Sequence, residues 1–121
     1  MSNTIQIKLN KLRFFSFHGL YKEEKKIGGE FEVNVSVSFT APQTTIDSIY
    51  QTPDYTAIFN LIKEEMNVPT ELLETLTMKI GNRIKLEFDQ VDAVQVAIKK
   101  LHPPIEKFNG NIEVVFEKRF N

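Results

Sequence analysis

Residues 70–84, with the sequence TELLETLTMKIGNRI, predict a helix around which the rest of the fold is organised. Its apolar residues recur at steps of three and four, which places them on one helical face. They are Leu73, Leu76, Ile80 and Ile84. Thr70 is the predicted N-cap, and the helix is expected to end near Phe88. Glu74 lies about 100° around the helix from Leu73, so its carboxylate is expected beside the buried seam and near the helix N-terminus. An ordinary solvated glutamate is the alternative.

The composition describes one domain, residues 1–121, with 41% apolar residues and a formal net charge of -1. At that charge we expect no basic face for nucleic acid, and no apolar run is long enough to span a membrane. The first ten residues lack the apolar segment of a signal peptide. The chain has no Cys and only two His, which excludes disulfides, thiolate zinc sites and zinc sites built on several His. The cytoplasm is therefore the expected compartment.

Polar and apolar residues alternate along several segments, which predicts strands on either side of two helices. The clearest alternation covers residues 30–39. In the first strand the alternation slips near Lys11, which predicts a β-bulge. Asp54 is the candidate N-cap of the first helix. The predicted elements are strands over residues 4–17 and 30–39, helices over 55–66 and 70–88, and strands over 94–100 and 112–116, joined by connections over 18–29, 41–53 and 101–110.

The order β-β-α-α-β-β indicates an α+β fold, with a four-stranded antiparallel sheet and two helices on one of its faces. The alternation in the second strand predicts that the opposite face is polar. Long strands also leave two sheet edges with unpaired backbone groups. Pairing these edges between copies would give the backbone groups hydrogen-bond partners, and it would turn the polar faces toward a wet lumen. The sequence therefore predicts an oligomer.

Four polar residues stand at the ends of apolar elements and are candidates for chemistry. They are Glu24, Tyr55, Glu74 and Lys100. Each has an ordinary alternative, which is a solvated charge for Glu24 and Lys100 and an amphipathic ring for Tyr55. His18 is expected to be structural, since no second His or Cys accompanies it locally. The sequence contains no GxGxxG, P-loop or GxSxG motif.

Residues 17–25, FHGLYKEEK, followed by Ile27 and Gly28, resemble the signature of the dihydroneopterin aldolase family. Three further segments agree in order and at similar spacing, and they are TPDY at 52–55, LLETL at 72–76 and IKKLHPP at 98–104. The resemblance covers residues 5–117. It implies the tunnelling fold, in which β-β-α-α-β-β subunits pair their sheets into a barrel. In this family two tetrameric rings usually stack into a homo-octamer.

The resemblance also implies roles for individual residues. Glu74 is expected to accept two adjacent N–H groups of a pterin ring, against which the backbone at Leu73 lies. Lys100 corresponds to an acid/base lysine near pterin N5, and Tyr55 corresponds to a tyrosine, donated by a neighbouring subunit, that handles protons at the leaving fragment. Glu24 corresponds to a carboxylate that lines the side-chain end of the pocket. The implied site therefore lies at a subunit boundary.

Pro53 and Asp54, from the TPDY segment, are further expected substrate-binding residues. The family commonly has Val in place of Pro53, whose missing N–H removes one possible contact to the pterin. Other departures are Gly29 where Gln is frequent, Lys22 where Pro is frequent, and Ile-Glu-Lys at residues 105–107 in place of a Gly-containing turn. These departures bear on substrate preference more than on the class of reaction.

The activity implied by the resemblance is a retro-aldol cleavage of 7,8-dihydroneopterin in folate biosynthesis, without metal or cofactor. The expected products are 6-hydroxymethyl-7,8-dihydropterin and glycolaldehyde. The C6=N5 imine of the dihydropterin can accept the electrons, so proton transfer by the protein is sufficient. One alternative is a dihydroneopterin triphosphate epimerase of the same superfamily, with Lys22, Lys25 and Lys26 supplying positive charge. A non-catalytic, oligomeric pterin-binding module is the other.

Overall fold

The computed structural model describes residues 3–120 and contains one antiparallel sheet of four strands, in the order β1-β2-β3-β4. The strands are β1 (Asn3–Ser16), β2 (Gly29–Ala41), β3 (Val91–Lys100) and β4 (Ile112–Arg119). The α-helices are α1 (Lys22–Ile27), α2 (Tyr55–Met66) and α3 (Leu73–Glu87), and a short 3-10 helix lies at Ile49–Gln51. The predicted α+β fold is confirmed, with α1 as an addition to the predicted element order.

The hydrophobic core lies between one face of the sheet and the helices α2 and α3. Strand β2 supplies the centre of this core, because every second residue of a strand points to the same face. Its buried apolar residues are Phe31, Val33, Val35, Val37, Phe39 and Ala41. The predicted apolar face of α3 is buried against the sheet, from Leu73 to Ile84. Gly81 permits this close approach, since a Cβ there would lie 2.7 Å from the ring of Phe116.

The β-bulge predicted near Lys11 is confirmed. The pairing register of β1 and β2 shifts between Leu9 and Leu12, and Lys11 has a φ of 57°. The Lys11 N–H donates to Asn34 Oδ1 at 2.8 Å, so a side chain of β2 satisfies an amide at the bulge. Beyond the bulge, Leu12 and Phe14 again pack against the core.

The structure confirms the predicted start of α2 and corrects that of α3. The side chain of Asp54 caps α2, as predicted. Helix α3 begins at Leu73, and its N-cap is Leu72, whose side chain makes no capping hydrogen bond. Thr70 is therefore not the N-cap. Its hydroxyl instead donates to the Val68 carbonyl at 3.0 Å, and its backbone N–H donates to His18 Nδ1 at 3.1 Å.

The connection predicted over residues 18–29 contains helix α1, which is a second correction to the sequence prediction. No residue of α1 is buried, so the helix has no apolar periodicity by which it could be detected. Its first turn is stabilised by the Tyr21 N–H, which donates to Glu24 Oε1 at 3.2 Å. Gly28 follows the helix with a φ of 78°, a conformation that glycine adopts without strain.

The sheet face opposite the helices is polar, as predicted. Asn34 and Ser36 of β2 are half-buried on it, and Glu32 forms ion pairs with Lys99 at 3.3 Å and with Arg13 at 3.6 Å. Strands β1 and β4 form the two sheet edges, and most of their residues are exposed. None of the helices within residues 3–120 combines the length and the apolar character needed to cross a membrane.

Candidate active site

A surface cleft of about 190 Å³ lies where α1, the N-terminus of α3 and the C-terminal end of β3 meet. Four of the residues predicted from the sequence line this cleft, and they are Glu24, Leu73, Glu74 and Lys100. Leu20, Leu72 and Val114 contribute apolar walls. The fold therefore brings together polar groups that come from three separate elements of the chain.

Lys100 and Glu24 form an ion pair in this cleft, in which Lys100 Nζ donates to Glu24 Oε2. Only 18% of the Lys100 side chain and 10% of the Glu24 side chain are exposed. The second carboxylate oxygen, Oε1, accepts the Tyr21 N–H. Because both oxygens of Glu24 have donors, the carboxylate and the ammonium are held in one arrangement. Hydrogen bonds of charged groups are stronger at such low exposure than in water.

The backbone of Lys100 is held by the sheet on both sides. Lys100 is the last residue of β3, opposite Phe31 of β2 and Ile112 of β4. An inner strand is a rigid support for a polar side chain. Glu24 lies instead on α1, which has no buried residue. The two members of the ion pair therefore differ in how firmly the fold positions them.

Glu74 lies in the first turn of α3, where the positive end of the helix dipole favours a carboxylate. Leu73, just before it, is 6% exposed and is anchored in the core. Glu74 itself is exposed. Its location in the first helical turn agrees with the sequence prediction. Its carboxylate was expected beside the buried seam, but within the single chain Glu74 is not even partly buried.

Tyr55, Asp54 and Pro53 do not line the cleft formed by the described residues 3–120. Tyr55 opens α2 and is 62% exposed, and Pro53 is buried. The Asp54 carboxylate accepts the Thr56 N–H at 2.9 Å as the cap of α2. The 12 residues of α2 separate Tyr55 from Met66 by about 17 Å along the helix axis. Within residues 3–120, the TPDY segment therefore lies outside the cleft that contains Lys100.

His18 connects the α1 segment to the residues that precede α3. Its Nδ1 accepts the Thr70 N–H, and the Gly19 N–H donates to the Thr70 carbonyl at 3.0 Å. Burial lowers the pKa of His18 from 6.5 to about 4; the Met66 backbone opposes this change, and the charge of Lys100 adds to it. The imidazole is therefore neutral at pH 7. Sequence spacing gives no signal for this contact, since its partners are 52 residues apart.

A second cavity, also of about 190 Å³, lies behind the ion pair and is lined by His18, Ile27 and Phe31 among others. Glu24 and Lys100 line both cavities, so the pair forms part of the wall between them.

The cleft thus offers a carboxylate at a helix N-terminus, an ammonium and a second carboxylate. These groups can accept paired N–H donors and can donate or receive protons. Within residues 3–120, His, Asp and Glu do not form a group of three or more that could hold a metal ion.

Sequence and structure comparisons identify similar proteins. The dihydroneopterin aldolase family model matches residues 7–117. A dihydroneopterin aldolase of Streptococcus pyogenes serotype M6 is 31% identical over 116 residues, which cover 94% of this chain and 98% of that protein.

Two crystal structures share the fold. A Vibrio cholerae structure assigned to dihydroneopterin aldolase has a TM-score of 0.79 and 15% identity, and the similarity covers 95% of this chain and 97% of that chain. The E. coli dihydroneopterin aldolase in complex with neopterin has a TM-score of 0.73 and 14% identity, with coverage of 94% and 98%.

Proposed function

This chain belongs to the dihydroneopterin aldolase family, and we propose that its cleft cleaves 7,8-dihydroneopterin into 6-hydroxymethyl-7,8-dihydropterin and glycolaldehyde, as a step of folate biosynthesis. The observation that carries the proposal is the convergence of Glu74, Lys100 and Glu24 on one cleft. The reaction needs a binding site for the pterin ring beside a proton donor, and this cleft offers both. The neopterin complex of the structurally similar E. coli enzyme supports a pterin as the ligand.

Glu74 and Leu73 bind the pterin ring in this proposal. The ring presents an exocyclic N–H beside a ring N–H, and a single carboxylate can accept both. Leu73 is fixed in the core, so its backbone provides a rigid surface next to the ring. In the assembled, ligand-bound site, a ligand that lacks either donor would leave the Glu74 carboxylate short of a hydrogen bond. That deficiency is the physical basis of selectivity for pterins.

The cleavage can proceed by proton transfer alone. A base takes the proton of the 2′-hydroxyl, and the C1′–C2′ bond breaks as C2′ becomes the aldehyde carbon of glycolaldehyde. The electron pair of that bond moves into the C6=N5 imine, and N5 takes up a proton. The enamine formed in this way is then protonated at C1′ while N5 gives up its proton, which restores the C6=N5 imine and gives the hydroxymethyl product. Each positioned proton donor or acceptor contributes about 10²–10⁴-fold to the rate.

Lys100 is the proton donor near N5, and Glu24 lies at the side-chain end of the pocket. In the ion pair, Lys100 Nζ donates to the Glu24 carboxylate. An ammonium group can donate a proton, whereas a Schiff base requires a neutral amine as nucleophile. Lys100 therefore acts as an acid and base and not as a covalent catalyst. The reaction needs no metal, since the substrate carries its own electron acceptor.

Tyr55, Pro53 and Asp54 complete the cleft of a neighbouring chain in the proposed assembly, an octamer of two stacked tetramers. The length of α2 and the 62% exposure of Tyr55 support a contribution to another subunit. The exposed edges β1 and β4 are suited to pairing between copies. The Asp54 carboxylate already caps α2, so its backbone, with the Pro53 carbonyl, is the part that contacts substrate. The proposed compartment is the cytoplasm, as expected for a chain without Cys.

Product analysis tests the proposed reaction. Purified protein is incubated with 7,8-dihydroneopterin, and glycolaldehyde and the pterin product are quantified by chromatography. Stoichiometric release of the two products is expected. Formation of an isomerised side chain without cleavage, from dihydroneopterin or its triphosphate, would identify an epimerase. Binding of the pterin without any turnover would identify a non-catalytic module, and either result would refute the aldolase assignment.

Subunit mixing tests the shared site. Tyr55→Phe and Lys100→Ala proteins, each expected to be nearly inactive, are unfolded and refolded together, and mass spectrometry confirms the mixed oligomers. If Tyr55 acts on the neighbouring cleft, about a quarter of the sites in a random equimolar ring combine both intact residues. Activity should return to about that fraction of wild type.

A matched control uses two residues of the same cleft. Mixed oligomers of Glu74→Ala and Lys100→Ala proteins should stay inactive, because every site then carries at least one defect. Recovery of activity in this control would contradict the proposed division of the site between chains. So would a Tyr55→Phe and Lys100→Ala mixture that recovers no activity.

A further inference from the structure

We infer that His18 is a positioning residue, which works with Gly19 to fix Glu24 relative to the start of α3. The inference rests on the proposed function, in which Glu24 and Lys100 serve the reaction. His18 itself lines the cavity behind the ion pair and has no assigned contact with substrate. Its effect on the reaction would therefore be transmitted through Glu24.

Helix α1 needs an anchor outside itself. Glu24 lies on this six-residue helix, and none of the six residues is buried. Core packing therefore does not determine where the carboxylate lies. The exposed ion pair between Lys25 and Glu71, at 3.6 Å, is of the kind that contributes little. The position of Glu24 depends mainly on its own polar contacts and on the segment that leads into α1.

His18 provides the anchor for that segment. It precedes α1 by four residues, is 1% exposed, and packs edge-on against the ring of Phe31 with 5.2 Å between ring centroids. Phe31 is itself in the core and lies opposite Lys100 in the sheet. The buried imidazole therefore links the entry of α1 to the strands that support Lys100.

Two hydrogen bonds then join this anchor to the approach of α3. Thr70 donates its N–H to His18 Nδ1 at 3.1 Å, and its carbonyl accepts the Gly19 N–H at 3.0 Å. Thr70 precedes Leu73, the first residue of α3, by three positions. The two bonds thus set the distance between the segment that carries Glu24 and the helix that carries Glu74.

Gly19 leaves the space that the Glu24 side chain occupies. A Cβ at position 19 would lie 2.4 Å from Glu24 Cδ and 2.4 Å from Glu24 Oε1, and Gly19 has a φ of +151°. A side chain there would displace the carboxylate that pairs with Lys100, and the backbone conformation would be strained as well. His18 holds the segment in place, and Gly19 permits Glu24 to fold back over it.

Three substitutions of His18 separate the hydrogen bond from simple space filling. His18→Asn keeps an acceptor at the position of Nδ1, His18→Gln moves it to the position of Nε2, and His18→Leu removes it while retaining an apolar side chain. Thermal unfolding and oligomer mass identify which variants are folded. Hydrogen exchange at the Thr70 amide then reports the hydrogen bond directly, whatever the protein catalyses.

A loss of kcat without loss of pterin binding is the expected signature. In His18→Leu and His18→Gln, the Thr70 amide should lose protection and kcat should fall by about 10–100-fold, because a small misplacement of a reacting group has effects of this size. Affinity for 6-hydroxymethyl-7,8-dihydropterin, which lacks most of the side chain that Glu24 faces, should be retained, since core contacts of Leu73 anchor the start of α3. His18→Asn should retain both protection and kcat, and Gly19→Ala should lower kcat with His18 intact.

Three results would overturn the inference. The first is a folded His18→Leu or His18→Gln variant with wild-type kcat. The second is a His18→Asn protein with full Thr70 protection that is as slow as the leucine variant. The third is unchanged Thr70 protection in His18→Gln. If wild type itself did not cleave dihydroneopterin, the proposed function would fail, whereas the exchange measurement would still decide whether His18 holds Thr70.

Discussion

Acidification should destabilise this protein through His18. Burial lowers the pKa of His18 from 6.5 to about 4 in the folded chain. The unfolded state therefore takes up a proton first as the pH falls. The stabilisation from the neutral imidazole is fully present above pH 6.5 and is lost progressively toward pH 4. A shift of one pKa unit corresponds to about 1.4 kcal/mol, so the complete loss is about 3–4 kcal/mol.

Most of this loss lies in an accessible pH range. Integration of the proton uptake between pH 7 and pH 5 gives about 2 kcal/mol for a group with these two pKa values. Urea unfolding at both pH values, at one protein concentration, would measure the free energy of unfolding. Carboxylates also titrate, so the informative quantity is the pH-dependent difference between wild type and His18→Asn.

His102 is the internal control for this experiment. It is exposed, whereas His18 is 1% exposed. The free energy of unfolding of His102→Gln should therefore fall between pH 7 and pH 5 by as much as that of wild type. For His18→Asn the fall should be smaller by about 2 kcal/mol. An equal pH dependence in wild type and His18→Asn would refute the argument that burial of a neutral imidazole governs the acid response.

Two further predictions concern the cleft. Glu74→Gln should weaken dihydropterin binding by about 2–4 kcal/mol, because a covered charge-assisted pair loses one partner; near-normal affinity by calorimetry would remove Glu74 from the binding site. Catalysis should survive exhaustive chelation, and borohydride should trap no substrate carbon on Lys100. Activity that is lost on chelation and restored by a metal, or a trapped adduct on Lys100, would contradict the mechanism of proton transfer alone.

The elements predicted correctly are those whose signal is local. Strand β2 alternates without interruption, so its buried face could be read directly from the positions of Val and Phe. The slip in β1 near Lys11 is visible for the same reason, since a bulge shifts the alternation by one residue. Asp54 caps α2 through the Thr56 amide two residues away. In each case the cause lies within a few residues of its effect.

The errors arose where a distant residue decides the local structure. Thr70 has the chemistry of an N-cap, but its hydroxyl donates to the Val68 carbonyl, and its backbone N–H donates to His18, which is 52 residues away in the sequence. Helix α1 carries no buried residue, so its sequence has no apolar pattern. It is associated instead with the pairing of Glu24 with Lys100, a contact over 76 residues. Local propensity could predict neither feature, because the stabilising partners belong to other elements.

The exposure of Glu74 also depends on groups that lie outside its own helix. A carboxylate buried without partners would cost several kcal/mol, so a single folded chain is more stable with Glu74 in water. The wall that would cover it is absent from the described part of this chain, where Tyr55 lies at the far end of α2. If a neighbouring chain supplies that wall, Glu74 becomes shielded when the oligomer forms and a pterin supplies its two donors. The strength and the selectivity of the interaction between Glu74 and the pterin would then arise only in the assembled, ligand-bound state. For this reason the helix pattern could indicate the position of Glu74 but not its burial.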